Sequence, residues 1–169
     1  MRIAVFVDGS NYFFMQKDGL KWWIDAEKLL DYLARDGEIV DATYYVGVGA
    51  PQEAYQQAFL NRLMDIGYAL ETKEIKEIFD DVSGEIKKKA NLDIEIVLDM
   101  FNTIDNYDMA VLVSGDGDFE RPLRMLRARG KKFKVVSTKG FIAYELKKVA
   151  GMHYVDVNEL RSELEYKKE

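Results

Sequence analysis

The sequence predicts an α/β protein in three layers: a central, mainly parallel sheet with helices on both faces. Three observations lead there. The runs "RIAVFV" (2–7), "MAVLVS" (109–114) and "FKVVS" (133–137) are continuously apolar and rich in β-branched residues, as strands buried on both faces are. Amphipathic stretches alternate with such runs along the whole chain. Finally, no repeat, low-complexity tract or Pro/Ser-rich linker divides the 169 residues, and a hydrophobic content of 48% fills one core, so residues 1–169 are expected to form a single domain.

The elements follow in order. "RIAVFV" is the first strand and meets Asp8 at its end. Residues 25–35 read as the first helix. "VDATYYVGV" (40–48) is a weaker strand. "PQEAYQQAFLNRLMDIG" gives a helix over 52–66, bracketed by Pro51 and Gly67. "GYALETKEI" (67–75) is again a weaker strand, and 91–104 is a helix. The strand 109–114 leads into a helix over 119–129, in whose first turn Pro122 is tolerated. Strand 133–137 follows, then a helix-like segment over 140–149 and a short edge strand in "HYVDV". The tail, 156–169, reads as a terminal helix that frays into charge.

Composition excludes several chemistries. With no cysteine there are no disulfides, zinc–thiolate sites or thiol nucleophiles, and a reducing compartment fits. The N-terminal apolar run is too short for a signal segment or a membrane span, so a soluble cytoplasmic protein is expected, with no membrane partner. The single histidine, His153, lies late in the chain and is expected to pack an edge strand, which argues against histidine-based acid–base or nucleophilic catalysis. The net charge of −6 is wrong for a nonspecific nucleic-acid binder, but the cations are clustered. Lys87, Lys88 and Lys89 form one run, and Arg121, Arg124, Arg127, Arg129, Lys131, Lys132 and Lys134 another.

In open parallel sheets the binding crevice lies at the carboxyl ends of the strands, where the strand order reverses. The first strand ends at Asp8, and the strand 109–114 runs into "SGDGDF", with Asp116 and Asp118. If these two strands are central neighbours, the acids converge, and like charges at close range call for a cation. On the helix 91–104, stepping about 100° per residue places Asp93 on the stripe of Ile96, Val97, Met100 and Ile104, the face turned to the sheet. Glu95, Asp99 and Asn102 fall on the opposite face, which is expected to be solvated. Asp93 either shares a cation with the strand-end acids or serves as an N-terminal helix cap. Asp118 is likewise open to capping 119–129. Asn11 orients a water or a carboxylate, or is an ordinary cap, and the hydroxyls of Ser10 and Ser114 support the acids as donors. An oxygen-only set suits Mg²⁺ or Mn²⁺, and carboxylates with such an ion point to metal-assisted hydrolysis or phosphoryl transfer.

"VFVDGSN", "KKANLDIEIVLDMF" and "LVSGDGDF", in this order and spacing, together with the closing "VVSTKGFIAYELKKVAGMHYVDVNEL", resemble the LabA-like branch of the NYN/PIN-like nuclease superfamily over essentially the whole chain. The resemblance implies a Rossmann-like α/β/α fold of PIN type and a Mg²⁺- or Mn²⁺-dependent ribonuclease site. It carries the metal-holding and catalytic role onto Asp8, Asp93, Asp116 and Asp118, with Asn11 in the family's D-x-x-N position. One departure is "KKANLD", where the family usually shows a shorter KG-V-D type run, so Lys88 and Lys89 have no fixed counterpart.

An RNA strand is expected to meet Lys87, Lys88 and Lys89, just ahead of Asp93, and Arg121 if its helix face borders the crevice. Tyr12, Phe13, Phe14, Trp22 and Trp23 offer bases a stacking surface, although adjacent Trp22 and Trp23 cannot both point inward on one face. Three readings remain: a metal-dependent endoribonuclease acting on single-stranded RNA, a catalytically silent regulator binding RNA or protein on the same fold, and a metal-dependent phosphatase. Against the last, "DGSN" lacks the D-x-D expected of an aspartyl phosphatase at the first strand. Self-association into a homo-oligomer is left open.

Overall fold

In the computed structural model, residues 1–49 and 53–168 are described, with residues 87–89 described for their backbone alone. A six-stranded, all-parallel sheet has the order β3-β2-β1-β6-β7-β8. Its strands are β1 (Arg2–Asp8), β2 (Glu38–Val48), β3 (Ala69–Glu74), β6 (Met109–Val113), β7 (Lys132–Ser137) and β8 (Tyr154–Asp156). The chain builds outward from β1 through β2 to β3, then returns to the other side of β1 as β6 and continues to β8. The order therefore reverses between β1 and β6, which pair from Ile3 opposite Met109 to Val7 opposite Val113.

Strand alternation divides the core in two. Ile3, Val5 and Val7 face a layer containing α1 (Gly9–Phe14), α2 (Ala26–Leu33) and α3 (Ala54–Ile66). Ala4 and Phe6 face a layer containing α4 (Asp93–Asn102), α5 (Glu120–Ala128) and α6 (Tyr144–Ala150). All five residues of β6 are buried, as the unbroken run "MAVLV" requires of a strand covered on both sides. The three-layer α/β/α architecture expected from the sequence is thus the one observed.

The structure departs from the expectation in three places, and in one the expectation falls partly outside the described residues. Residues 9–20 form α1 and a π-helical turn, Met15–Leu20, where no element was expected. Between β3 and α4 a separate antiparallel hairpin, β4 (Lys76–Phe79) and β5 (Ile86–Lys89), turns through "DDVSGE", with Gly84 at φ +70° and its N–H donating to the Asp80 carbonyl. The start of the expected 52–66 helix lies outside the described residues, and α3 is seen from Ala54. The tail does not form a long fraying helix. Its helix, α7, is only Arg161–Leu164; Leu164 is buried, Asp25 donates to its carbonyl at 2.8 Å, and the Tyr166 N–H donates to the Trp23 carbonyl at 2.7 Å. Apolar burial and these backbone bonds hold the tail in place of a longer helix.

Candidate metal centre

β1 and β6 end side by side, and their carboxyl ends carry the site. Asp8, the last residue of β1, caps α1 by accepting from the Asn11 backbone N–H at 3.4 Å. The turn is tight: a Cβ on Gly9 would lie 2.3 Å from the Tyr45 carbonyl oxygen, so glycine is required there. Asp8 Oδ2 accepts from Ser114 Oγ at 2.9 Å, and Ser114 Oγ accepts in turn from the Asp116 N–H at 3.1 Å. Asn11 is not a cap. Its Oδ1 accepts from the Gly115 N–H at 2.9 Å and so ties the loop after β1 to the loop after β6. Gly115 is another close approach, because a Cβ there would sit 2.0 Å from the Phe141 carbonyl.

Asp116 accepts from the Asp118 N–H at 2.9 Å and is the cap of the short 3₁₀ turn Gly117–Phe119, in place of Asp118. Asp93 arrives from the other layer. It is the first residue of α4, one position inside the cap Leu92, and its N–H donates to Asn91 Oδ1 at 2.8 Å. Ile96 and Met100 lie beneath it, fully buried, as the helical stripe requires. The far face of α4 is solvated only in part: Asn102 is exposed as expected, but Tyr45 donates its hydroxyl to Asp99 at 2.7 Å and Lys73 Nζ donates to Glu95 at 2.8 Å, and the apolar Ile94 and Leu98 are exposed as well. The wheel was correct about the buried stripe but could not foresee the partners supplied by β2 and β3.

One oxygen from each of Asp8, Asp93 and Asp116 lies within 4.8 Å of the others. Asp118 is outside this group, exposed on the 3₁₀ turn, although its charge is felt at Asp93. Two unit charges 4 Å apart repel by about 1 kcal/mol in bulk water and about 4 kcal/mol at an effective dielectric of 20. Among the described residues, no ion pair involves any of the three. The carboxyl of Asp93 is accordingly pushed up to about 7, first by burial, then by the charges of Asp8 and Asp116 and a hydrogen bond with Asp116. Asp8 is also raised, chiefly by burial, with the Ser114 hydroxyl and the Asn11 N–H opposing. Protonation relieves such crowding, as a hard divalent cation would, and three carboxylates could bind one.

The acids open into a cleft of about 440 Å³ whose walls include Ser10, Asn11, Phe14, Tyr45, Asn91 and Phe141. Ser10 is exposed at the rim, and Ser114 is buried beneath. Arg121 is exposed in the first turn of α5 and does not line the cleft. Its neighbours are used elsewhere. Arg124 pairs with Glu120, while Arg127 donates to the Val149 carbonyl at 2.7 Å and lies over the Phe133 ring. The side chains of Lys87, Lys88 and Lys89 lie outside the described residues. Sequence reasoning did not find Tyr45 or Phe141 in the cleft. Tyr45 follows a weak alternation in β2, and Phe141 lies in a loop with no motif of its own.

The family model of the NYN domain matches residues 2–160. The chain is 46% identical, over 97% of its length and 88% of the relative's, to "Low amplitude and bright protein LabA" of Synechococcus elongatus. A crystal structure of a protein of unknown function from Vibrio parahaemolyticus shares the fold, with a TM-score of 0.79 over 92% of both chains at 24% identity. Among the described residues no helix is long and apolar enough to cross a membrane.

Proposed function

The chain belongs to the NYN family, in its LabA-like branch, and from that premise we propose that it is a Mg²⁺- or Mn²⁺-dependent endoribonuclease hydrolysing phosphodiester bonds of single-stranded RNA. The observation that carries the reading is the group of Asp8, Asp93 and Asp116, converging at the reversal of the strand order and open to a cleft. These three would hold the ion, and Asp118 on the adjacent turn adds negative charge at the rim. Bound there, a divalent ion activates water at neutral pH and offsets the charge that develops on the scissile phosphate.

The chain's own groups set up that chemistry. The Ser114 hydroxyl and the Asn11 N–H each donate to one oxygen of Asp8 and so fix the carboxylate's orientation, and the remaining lone pairs would face the ion. Asn11 locks the two strand-end loops at one spacing through Gly115. Hard oxygen donors with no sulfur or imidazole suit Mg²⁺ and Mn²⁺. Lys87, Lys88, Lys89 and Arg121 are the proposed contacts to the RNA backbone, and a chain without cysteine suits the reducing cytoplasm.

The test is cleavage of a mixed single-stranded RNA pool with and without manganese, by the wild type and Asp8→Asn. The reading expects metal-dependent cleavage that falls by about a hundredfold or more in the variant while RNA binding survives, since a charge facing phosphate is gone. No metal-dependent cleavage by the wild type, with RNA still bound, would make the protein a binding module.

A further inference from the structure

Five aromatic rings crowd the segment from Tyr12 to Trp23, and the fold sorts them. Tyr12 and Trp22 enter the core at 5% and 4% exposure, whereas Phe13, Phe14 and Trp23 stay 43%, 47% and 48% exposed. The exposed three are contiguous. The Phe13 ring lies 5.3 Å from that of Phe14 and 5.7 Å from that of Trp23, tilted by 37° from the latter. Lys17 Nζ stands 5.9 Å from the Phe13 centroid. Phe14 also lines the cleft of Asp8, Asp93 and Asp116, so the aromatic surface runs without a break into the proposed site.

This surface is held rigidly. The buried Gln16 amide donates to the Tyr12 carbonyl at 3.1 Å and accepts from the Ile24 N–H at 2.7 Å, which binds the two ends of the segment together. Lys21, at φ +61°, turns the chain so that Trp22 goes in and Trp23 out, and the Trp23 carbonyl is held by the Tyr166 N–H. Rings fixed in advance lose little freedom when a ligand covers them.

We infer that Phe13, Phe14 and Trp23 form a stacking platform for unpaired bases of a polynucleotide whose backbone passes the carboxylate cleft, with Lys17 beside it for a phosphate. The inference rests on the proposed function and names the part of the substrate that this protein grips. Three chemical facts favour bases over a protein partner. The patch is wholly aromatic, and every base offers a π-face that stacks on such rings. It adjoins a site for phosphodiesters. And at a net charge of −6 the chain's overall field repels phosphates, so stacking adds affinity to the few local cations. Bases already paired in a duplex have no face to offer, so the platform selects single strands.

The experiment measures binding of a fluorescent single-stranded RNA, an abasic strand of equal length and a duplex of the same sequence. The protein is Asp116→Asn, which leaves the strands uncut, with and without Phe13→Ala and Trp23→Ala. We expect the intact platform to prefer the single strand to both controls, each alanine to weaken it by about 5- to 150-fold, and Trp23→Tyr to restore it. The alanine variants should no longer distinguish the single strand from the abasic one, while the manganese-induced rise in Tm, read in the same substitutions on an intact Asp116, stays unchanged. Equal binding of all three ligands, or alanine variants that bind like the parent, overturns the platform. If the wild type still cuts RNA with manganese in that event, the proposed function stands without it. Loss of self-association in the alanine variants, with RNA binding unaltered, would assign the rings to a protein contact and also overturn the inference.

Discussion

The two ends of the β1–β6 pair treat acidic residues in opposite ways. At the amino end, Asp108 precedes β6 and faces Arg2 at the start of β1. The Arg2 N–H donates to it at 2.8 Å, and its guanidinium adds an ion pair at 3.1 Å. The Asp108 carboxyl is pulled down to about 2, first by the side-chain hydrogen bond from Arg2 and then by its backbone N–H. At the carboxyl end, about six residues further along the same strands, Asp8 and Asp116 meet Asp93 with no ion pair among the described residues, and Asp93 is pushed up to about 7. The fold can neutralise a strand-end carboxylate when a cation is placed in register. The three acids gathered at the other end are the contrast on which the proposed metal site rests.

Several substitutions would sharpen or break this contrast. The largest effect is expected from Asp116→Asn. It should remove most of the manganese-induced rise in Tm, since a ligand held only by the folded state stabilises it. In EDTA the variant should melt at or above the wild type, because one repulsive charge is gone. A full manganese shift in the variant would place the ion elsewhere.

Next in size is Ser114→Ala. It strips Asp8 of its hydroxyl donor and the Asp116 N–H of its acceptor, and should lower manganese affinity by about 10- to 100-fold. Titrating manganese into both proteins checks this, and equal affinities would deny Ser114 its positioning role.

A smaller effect is the pH dependence of stability without metal. For Asp93 the folded value is raised, so its contribution is fully present below the unfolded value near 3.8 and is lost as pH rises through about 7. For Asp108 the folded value is lowered, so its contribution is present above 3.8 and is lost as pH falls through about 2. In EDTA, Asp93→Asn should therefore flatten the fall in Tm between pH 4 and 7, and Asp108→Asn should flatten the fall below pH 4. Parallel curves for wild type and variants would refute the assignment.

The smallest effect belongs to the exposed amino-end pair. Arg2→Ala should lower Tm by no more than about a few degrees and leave the manganese shift intact. A changed shift would mean that the two ends are coupled.

The carboxyl-end cluster was legible in the sequence because it depends on local rules. Buried strands announce themselves as apolar runs, their ends as "VDGSN" and "VSGDGDF", and the placement of Asp93 as helical periodicity. The amino-end pair was not legible, since Arg2 and Asp108 are 106 residues apart and nothing local links them. The same holds for Tyr45 with Asp99. That Asp116 both caps the turn and joins the carboxylate group, while Asp118 does neither, also needed coordinates, because "DGD" permits either acid to cap the turn. The hairpin 76–89 was missed for a different reason. Its turn chemistry, Asp80 to Gly84, was present, but it interrupts a strict β-α alternation that the rest of the chain obeys.

Calorimetric titration of manganese at pH 7, repeated in buffers of different ionisation enthalpy, tests the central claim most directly. If Asp8, Asp93 and Asp116 bind the ion, Asp93, half protonated near its value of about 7, must give up its proton as the ion enters. The wild type should then bind manganese with measurable proton release, and Asp93→Asn should bind it more weakly and release less. Binding of undiminished affinity in Asp93→Asn, or wild-type binding with no proton released, would contradict the account.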